Sequence, residues 1–172
     1  MRPEWLYDAS GSVRLAGEAG LVRIIGWVGA NPGGDVLLAT GQDGTELTPI
    51  PPGGTEKAVA LRVKGHSMRG LADDGALIYF EDQRSSPSPD MLGQVVVVET
   101  DTDEVLVKRL LRGSRTGVYD LESVAGPTRH DARLRWAAHI TAIIPPYQAH
   151  DLAHQARALT ASLRQAGRAV GD

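Results

Sequence analysis

The chain predicts a mainly β domain of short, mostly antiparallel strands with one helix added at the C-terminal end. Seven or more short apolar runs follow one another, separated by glycine, proline and aspartate residues that are typical of turns. The apolar period changes to alternating steps of four and three only after residue 149, which indicates a helix there. At 172 residues the chain is long enough to bury a core of its own.

Composition excludes several classes of protein. The net charge is -3, from 18 basic and 21 acidic residues, so no electrostatic nucleic-acid surface is expected. The chain has no cysteine, which excludes disulfides and cysteine-based zinc sites and suits a reducing compartment. No apolar run approaches the roughly 20 residues that span a bilayer, and no signal peptide is recognisable. We therefore expect a cytoplasmic protein with no membrane contact.

The first half of the chain predicts five strands. They are expected at 21–28, 36–39, 47–50, 58–65 and 76–80. The turn residues of 29–34 are expected to end the first strand. In the fourth, Gly65 lets the backbone turn sharply and present Ser67 at the end of the strand.

The second half predicts five more strands and the helix. The strands are expected at 94–99, 104–111, 118–123, 132–136 and 139–144, with 100–103 as a hairpin turn. The helix is expected at 149–170, where it is ended by glycines. Its apolar stripe consists of Leu152, Ala156, Leu159, Leu163, Ala166 and Val170. We expect this stripe to pack on the domain or on a partner subunit.

Ser67 and Lys108 are the candidate catalytic pair. In strand 104–111, alternation places Lys108 on the same face as Leu106 and Leu110, where an ammonium group is poorly solvated. A desolvated lysine loses its proton readily, and a neutral lysine can activate a serine hydroxyl as a general base. The alternative is that the two residues are unrelated: Ser67 is a turn serine, and the Lys108 amine reaches solvent past its apolar neighbours.

Four segments carry a family resemblance. They are Val-Lys-Gly-His-Ser-Met at 63–68, Asp-Gly-Ala-Leu-Ile at 74–78, Gly-Gln-Val-Val-Val at 93–97 and Val-Lys-Arg-Leu at 107–110. In this order and spacing they resemble the LexA, UmuD and phage-repressor family of self-cleaving serine peptidases, over about residues 21–145. The resemblance implies a LexA-type C-terminal peptidase fold, a dyad of Ser67 and Lys108, an oxyanion site at the backbone N–H groups of His66 and Ser67, and no cofactor.

The resemblance also implies a site of self-cleavage. Val28-Gly29-Ala30-Asn31 aligns with the segment that the family cuts, which places the scissile bond between Ala30 and Asn31. Asn31 stands where the family usually has glycine. The alternative is an ordinary turn at the end of a strand.

The implied organisation has three parts. Pro3-Glu4-Trp5-Leu6 is similar to the end of a helix-turn-helix domain, so 1–20 is interpreted as a linker or a remnant of such a domain. Residues 21–147 form the peptidase and dimerisation domain, and 148–172 form the amphipathic helix. By resemblance the chain is a homodimer, is activated by a recombinase (RecA) filament in an SOS-type response, and contacts DNA only through a helix-turn-helix domain absent from this sequence. The alternative is a stand-alone UmuD-like protein.

Two hypotheses from other classes remain. The same fold could serve as a dimerisation or sensor module of a transcriptional regulator without cutting, in which case Ser67→Ala would change nothing. His150 and His154 are spaced to share a helix face and could ligate zinc, but the intervening residue is Asp151 rather than glutamate and no third ligand follows. A solvated helix start is the favoured interpretation, and no metal is expected.

Overall fold

The computed structural model describes residues 20–30 and 46–169, and within them it confirms the mainly β fold with a helix at the C-terminal end. The strands are β1 (Leu21–Ala30), β2 (Leu47–Pro49), β3 (Ala58–Gly65), β4 (Leu77–Glu81), β5 (Val95–Thr100), β6 (Val105–Arg112), β7 (Tyr119–Glu122), β8 (Arg129–Ala132) and β9 (Leu134–Ile144), and the helix is α1 (Pro146–Ala169). No helix of the described part of the chain has the length and apolar character needed to cross a membrane.

The nine strands form one mixed sheet in the order β2-β1-β3-β4-β9-β5-β6-β7-β8. Among the strands that the structure describes, only β1 and β3 run parallel, and the other neighbours are antiparallel. The long strand β9 joins the two halves, because its first part pairs with β5 and its last part with β4. The sheet therefore consists of two linked halves.

The main core lies where the two halves pack together. Its buried members include Val63, Ile78 and Phe80 from one half and Val97 and Leu110 from the other. Removing such side chains from water stabilises the fold by about 1.5–3 kcal/mol each. A smaller core on the other face of β3 and β4 contains Ala60 and Tyr79 and is covered by α1. We call it the helix-side core.

Strand β1 changes face along its length. Residues 21–23 pair with β2, and the strand then runs beside β3 with a register shift between Ile24 and Gly26. The extra residue moves the inward-facing position from one side of the sheet to the other, as a β-bulge does. Ile24 therefore belongs to the helix-side core, whereas Val28 belongs to the main core.

The helix packs through a row of residues that coincides only in part with the predicted stripe. Ala149, Ala153 and Ala156 are buried, while Leu152 is half-buried and Leu159 is 40% exposed. The buried alanines share Ala156 with the predicted stripe and have the same four-and-three spacing, so the period alone could not separate the two rows. Short side chains let the helix approach the sheet closely. The last three residues of the predicted stripe lie outside the described side chains.

The predicted strands differ from the observed ones in three places. β1 continues through Gly29 and Ala30, because β3 supplies backbone partners to residues whose side chains suggested a turn. The segments predicted at 132–136 and 139–144 are one strand, since pairing with β5 and then β4 carries the backbone across Ala137 and Ala138. β8 was not predicted from its polar sequence. The strand predicted at 36–39 and the interpretation of 1–20 concern residues outside the described ranges, apart from residue 20.

Candidate active site

A sharp turn after β3 carries Ser67. Gly65 has a φ of +106°, a conformation that glycine adopts at little cost, and its N–H donates to the Asp74 carboxylate at 2.7 Å. Ser67 and Met68, which follow in the turn, are both about 1% exposed. The strand and the anchored glycine thus fix the serine in a buried position.

Lys108 lies on β6 and points its amine at this serine. Its Nζ atom is 2.9 Å from Ser67 Oγ, although the two residues are 41 positions apart. Only 7% of Lys108 is exposed, and its neighbours Leu106 and Leu110 are buried in the main core. Burial lowers the pKa of the Lys108 amine below its usual value of 10.5 because the charged form loses hydration. The pair therefore has the contact and the environment that suit a lysine base.

Ser123 is a third member of the cluster that sequence reasoning missed. Its Oγ lies 2.7 Å from Lys108 Nζ and 3.4 Å from the carbonyl oxygen of Pro127, to which it donates. In the β6–β7 pairing Arg109 is opposite Glu122, so Ser123 falls opposite Lys108. That register is the only signal in the sequence for the contact between Ser123 and Lys108. It can be used only when the conformation of the turn between β6 and β7 is known.

The segment after β7 also holds the backbone of the serine. The N–H of Ala125 donates to the carbonyl oxygen of Ser67 at 2.8 Å. The side chain of Val124 next to it is 53% exposed. Residues 123–127 therefore contact both members of the pair, the serine through the Ala125 N–H and the lysine through the Ser123 hydroxyl.

The predicted cleavage segment approaches the same place. Ala30, the last residue of β1, is paired with Gly65 of β3, two positions before Ser67. Neighbouring strands lie about 4.8 Å apart, so the backbone of Ala30 is close to the turn that carries the serine. β1 also lies against β6, the strand of Lys108. Asn31, on the other side of the predicted scissile bond, lies outside the described residues.

His66 is adjacent to the serine but differs from it in environment. Its side chain is exposed, whereas Ser67 is buried. This difference agrees with the expectation that the imidazole faces away from the serine hydroxyl. The backbone N–H groups of His66 and Ser67 lie in the turn directly after Gly65, and their role as oxyanion donors stays a prediction.

The alternative zinc pair has no support in the described part of the chain. His150 and His154 lie exposed on α1, and their neighbour Asp151 is exposed as well. Within residues 20–30 and 46–169 there is no group of three or more histidine, aspartate or glutamate side chains that could hold a metal ion.

A β domain that buries a serine against a lysine has the parts of a serine peptidase. The model of the Peptidase S24-like family matches residues 23–133, a stretch that includes Ser67, Lys108 and Ser123. The chain therefore belongs to the Peptidase S24-like family, which is the LexA- and UmuD-like family of serine peptidases, and the predicted resemblance is confirmed. The helix α1 lies outside the matched residues. No curated protein matches the chain at a significant level.

Proposed function

We propose that this chain is a self-cleaving peptidase domain in which Lys108 activates Ser67 to cut the bond between Ala30 and Asn31. The observation that carries the proposal is the 2.9 Å contact between the Lys108 amine and the Ser67 hydroxyl in a buried setting. The pairing of Ala30 with Gly65 supports a substrate strand supplied by the chain itself.

The first step is acyl transfer to the serine. The lone pair of neutral Lys108 takes the hydroxyl proton while Ser67 Oγ bonds to the carbonyl carbon of Ala30. The resulting oxyanion would accept hydrogen bonds from the backbone N–H groups of His66 and Ser67, which belong to the turn after Gly65. Lys108 then returns the proton to the Asn31 nitrogen as the peptide bond breaks, leaving an ester between Ser67 and Ala30.

The second step is hydrolysis of that ester. Lys108 is neutral again and takes a proton from a water molecule, while the oxygen of that water attacks the Ala30 carbonyl carbon. The bond to Ser67 Oγ breaks and the serine recovers the proton. The products are a chain ending at the Ala30 carboxylate and a chain beginning at the Asn31 amine.

Ser123 would orient the base. A neutral amine has two N–H groups and one lone pair, and only the lone pair can receive the serine proton. The hydroxyl of Ser123 donates to Pro127, so its oxygen is free to accept one N–H from Lys108. With one N–H held by Ser123, the neutral amine can turn its lone pair toward Ser67, whose hydroxyl then donates to it.

The proposal is tested by intact mass after incubation between pH 7 and pH 10. A lysine base predicts that the rate of cutting increases with pH and levels off below pH 10.5, since burial lowers the Lys108 pKa and only the neutral amine is active. The expected products are separated between Ala30 and Asn31, and they are absent in Ser67→Ala and Lys108→Ala. Cutting that persists in either variant would overturn the proposal.

Membership of the family supports a wider context for this activity. We propose that the domain belongs to a LexA-like transcriptional regulator, forms a homodimer, and is stimulated to cut by a recombinase filament in the SOS response. Light scattering of the Ser67→Ala chain tests the dimer. Addition of filament, single-stranded DNA and ATP at pH 7 tests the stimulation, with the filament-free incubation as the control. A chain that cuts at the same rate with and without filament would refute the proposed stimulation.

A further inference from the structure

Trp27 is an exposed aromatic residue beside two cations. Its side chain is 43% exposed on β1, immediately before the buried Val28. The Arg62 guanidinium lies 5.7 Å from the centre of the indole, and the Lys64 amine lies 6.0 Å from it. Both distances are within the range in which a cation is attracted to the face of an aromatic ring.

The two cations come from the strand that pairs with β1. In the parallel register Trp27 is opposite Arg62, and Gly29 is opposite Lys64. Because side chains alternate along a strand, Trp27 and the two cations share the outer face of the sheet, whereas Val28 enters the main core on the other face. Trp27 and Val28 therefore make contacts on opposite faces of the sheet, just before Ala30.

The position of Arg62 is itself fixed. Its guanidinium donates to the Glu46 carboxylate at 2.5 Å, and the carbonyl oxygen of Glu46 accepts from the N–H of Ile24 at 2.9 Å. Arg62 is thus held between Glu46, which adjoins β2, and Trp27 at the far end of β1. A cation that is already ordered loses little side-chain entropy when it covers the ring.

We propose that Trp27 is a positioning residue for the self-cleavage reaction: clasped by Arg62 and Lys64, it holds the end of β1 in the register that sets Ala30 opposite Gly65. The inference rests on the proposed function for its catalytic consequence. It adds a requirement on the substrate strand, namely an aromatic side chain as the fourth residue before the cut. The register depends on Trp27 because a slip of one residue would move the indole from the outer face into the main core.

Docking of the strand is measured without cutting, in the Ser67→Ala chain, by hydrogen exchange of the backbone amides. Trp27→Ala is expected to accelerate exchange in 27–30 about tenfold, since two cation–π contacts are lost. The antiparallel part of β1, residues 21–23, is the internal control and is expected to keep its exchange rates. Trp27→Phe, which retains an aromatic face, is expected to restore most of the protection.

The consequence for the reaction is measured in the chain with Ser67 intact. Trp27→Ala is expected to lower the rate of cutting about tenfold at every pH, leaving the pH of half-maximal rate unchanged, because the base is not altered. Lys64→Met is expected to lower the rate about threefold. Lys57→Met, which removes an exposed lysine from the turn before β3, is the matched control and is expected to cut at the original rate.

Equal exchange in 27–30 with and without the indole would overturn the inference, whatever the chain does as a peptidase. Faster exchange together with an unchanged rate of cutting would also overturn it, since strand register would then not limit the reaction. If the original chain does not cut at any pH, with or without the filament, the proposed function fails, and the exchange measurement still decides whether Trp27 holds the strand.

Discussion

Two buried hydrogen bonds between distant side chains form on opposite sides of this fold. In the helix-side core, Thr48 and Tyr79 hydroxyls are 2.6 Å apart and both residues are fully buried. In the candidate active site, Lys108 and Ser67 are 2.9 Å apart and nearly as well buried. Each pair fixes two strands or turns that are more than 30 positions apart in sequence. By geometry alone the two pairs are alike.

Burial has opposite chemical consequences in the two pairs. Desolvation raises the pKa of the Tyr79 phenol above 10.0, so it stays protonated and inert at physiological pH. Desolvation lowers the pKa of the Lys108 amine, and this brings the basic, neutral form closer to physiological pH. In both cases the protein disfavours charge, but only for an amine does this produce a base. The difference between the pairs lies in the group that is buried.

The largest expected effect is on the rate of self-cleavage, which should depend on one pair and not on the other. Lys108→Met keeps an apolar stem of similar length and removes the amine, so we expect self-cleavage to fall about a thousandfold or more. Tyr79→Phe removes the phenol oxygen from the other pair, and we expect the rate to change less than about twofold because that group takes no part in the reaction. Intact mass at pH 9 measures both rates.

Circular dichroism of the two variants is the control for folding. If the Lys108→Met variant is folded and still cuts at the original rate, the amine is not the base. A large loss of rate in folded Tyr79→Phe would show that the two pairs are not independent.

The class of fold could be predicted from local signals in the sequence, whereas the Ser67–Lys108 contact was predicted only with the help of the family resemblance, because the two residues are 41 positions apart. Alternation places Lys108 among leucines, and a glycine two positions before Ser67 permits the turn. The contact of Ser123 with Lys108 could not be predicted in the same way, because it depends on the register between β6 and β7. A shift of one residue in that hairpin would have turned Ser123 to the other face of the sheet.

The helix and the first strand show the same limit. The predicted and the buried rows of α1 share Ala156 and have the same spacing, and the row with Ala149 and Ala153 packs on the sheet because small side chains allow a close approach. Gly29 and Ala30 look like turn residues in the sequence, but the neighbouring strand β3 gives their backbone a partner. Tertiary pairing overrides local preference at the point where the proposed cut lies.

A smaller effect on rate is expected at Ser123. Ser123→Ala removes the acceptor that orients the Lys108 amine, so we expect self-cleavage to slow about tenfold at pH 9. Ser123→Thr keeps a hydroxyl and is expected to retain most of the rate. Ser86→Ala, in an exposed loop, is the matched control. Equal rates in Ser123→Ala and Ser86→Ala would remove Ser123 from the mechanism.

The buried amine is expected to reduce stability at neutral pH. In the Ser67→Ala background, Lys108→Met should raise the free energy of unfolding at pH 7 by about 2 kcal/mol, since the charged amine is no longer desolvated. Below its lowered folded-state pKa the lysine is charged in both states and the full cost applies. Between that pKa and the unfolded value of 10.5, only the unfolded state binds the proton, so the stability of the lysine chain rises with pH. Urea unfolding at pH 7 and pH 10 should therefore show the advantage of methionine shrinking, and an advantage that grows with pH would contradict the assignment.

The smallest effect is expected in the inert pair. Tyr79→Phe leaves the Thr48 hydroxyl buried without its partner, so we expect a loss of about 1 kcal/mol in the free energy of unfolding at pH 7. Because the folded-state pKa of Tyr79 lies above 10.0, the unfolded phenol ionises first as pH rises, and the tyrosine chain loses stability above pH 10. The loss of stability caused by Tyr79→Phe should therefore become smaller above pH 10. Stability contributed by the buried group thus falls with pH for Tyr79, whereas it rises with pH for Lys108. Urea unfolding at pH 7 and pH 10.5 measures it in the Ser67→Ala background, with Tyr147→Phe on the exposed start of α1 as the matched control. A cost that increases with pH would mean that the buried phenol ionises more easily than a free one, and burial would then not account for the contrast between the two pairs.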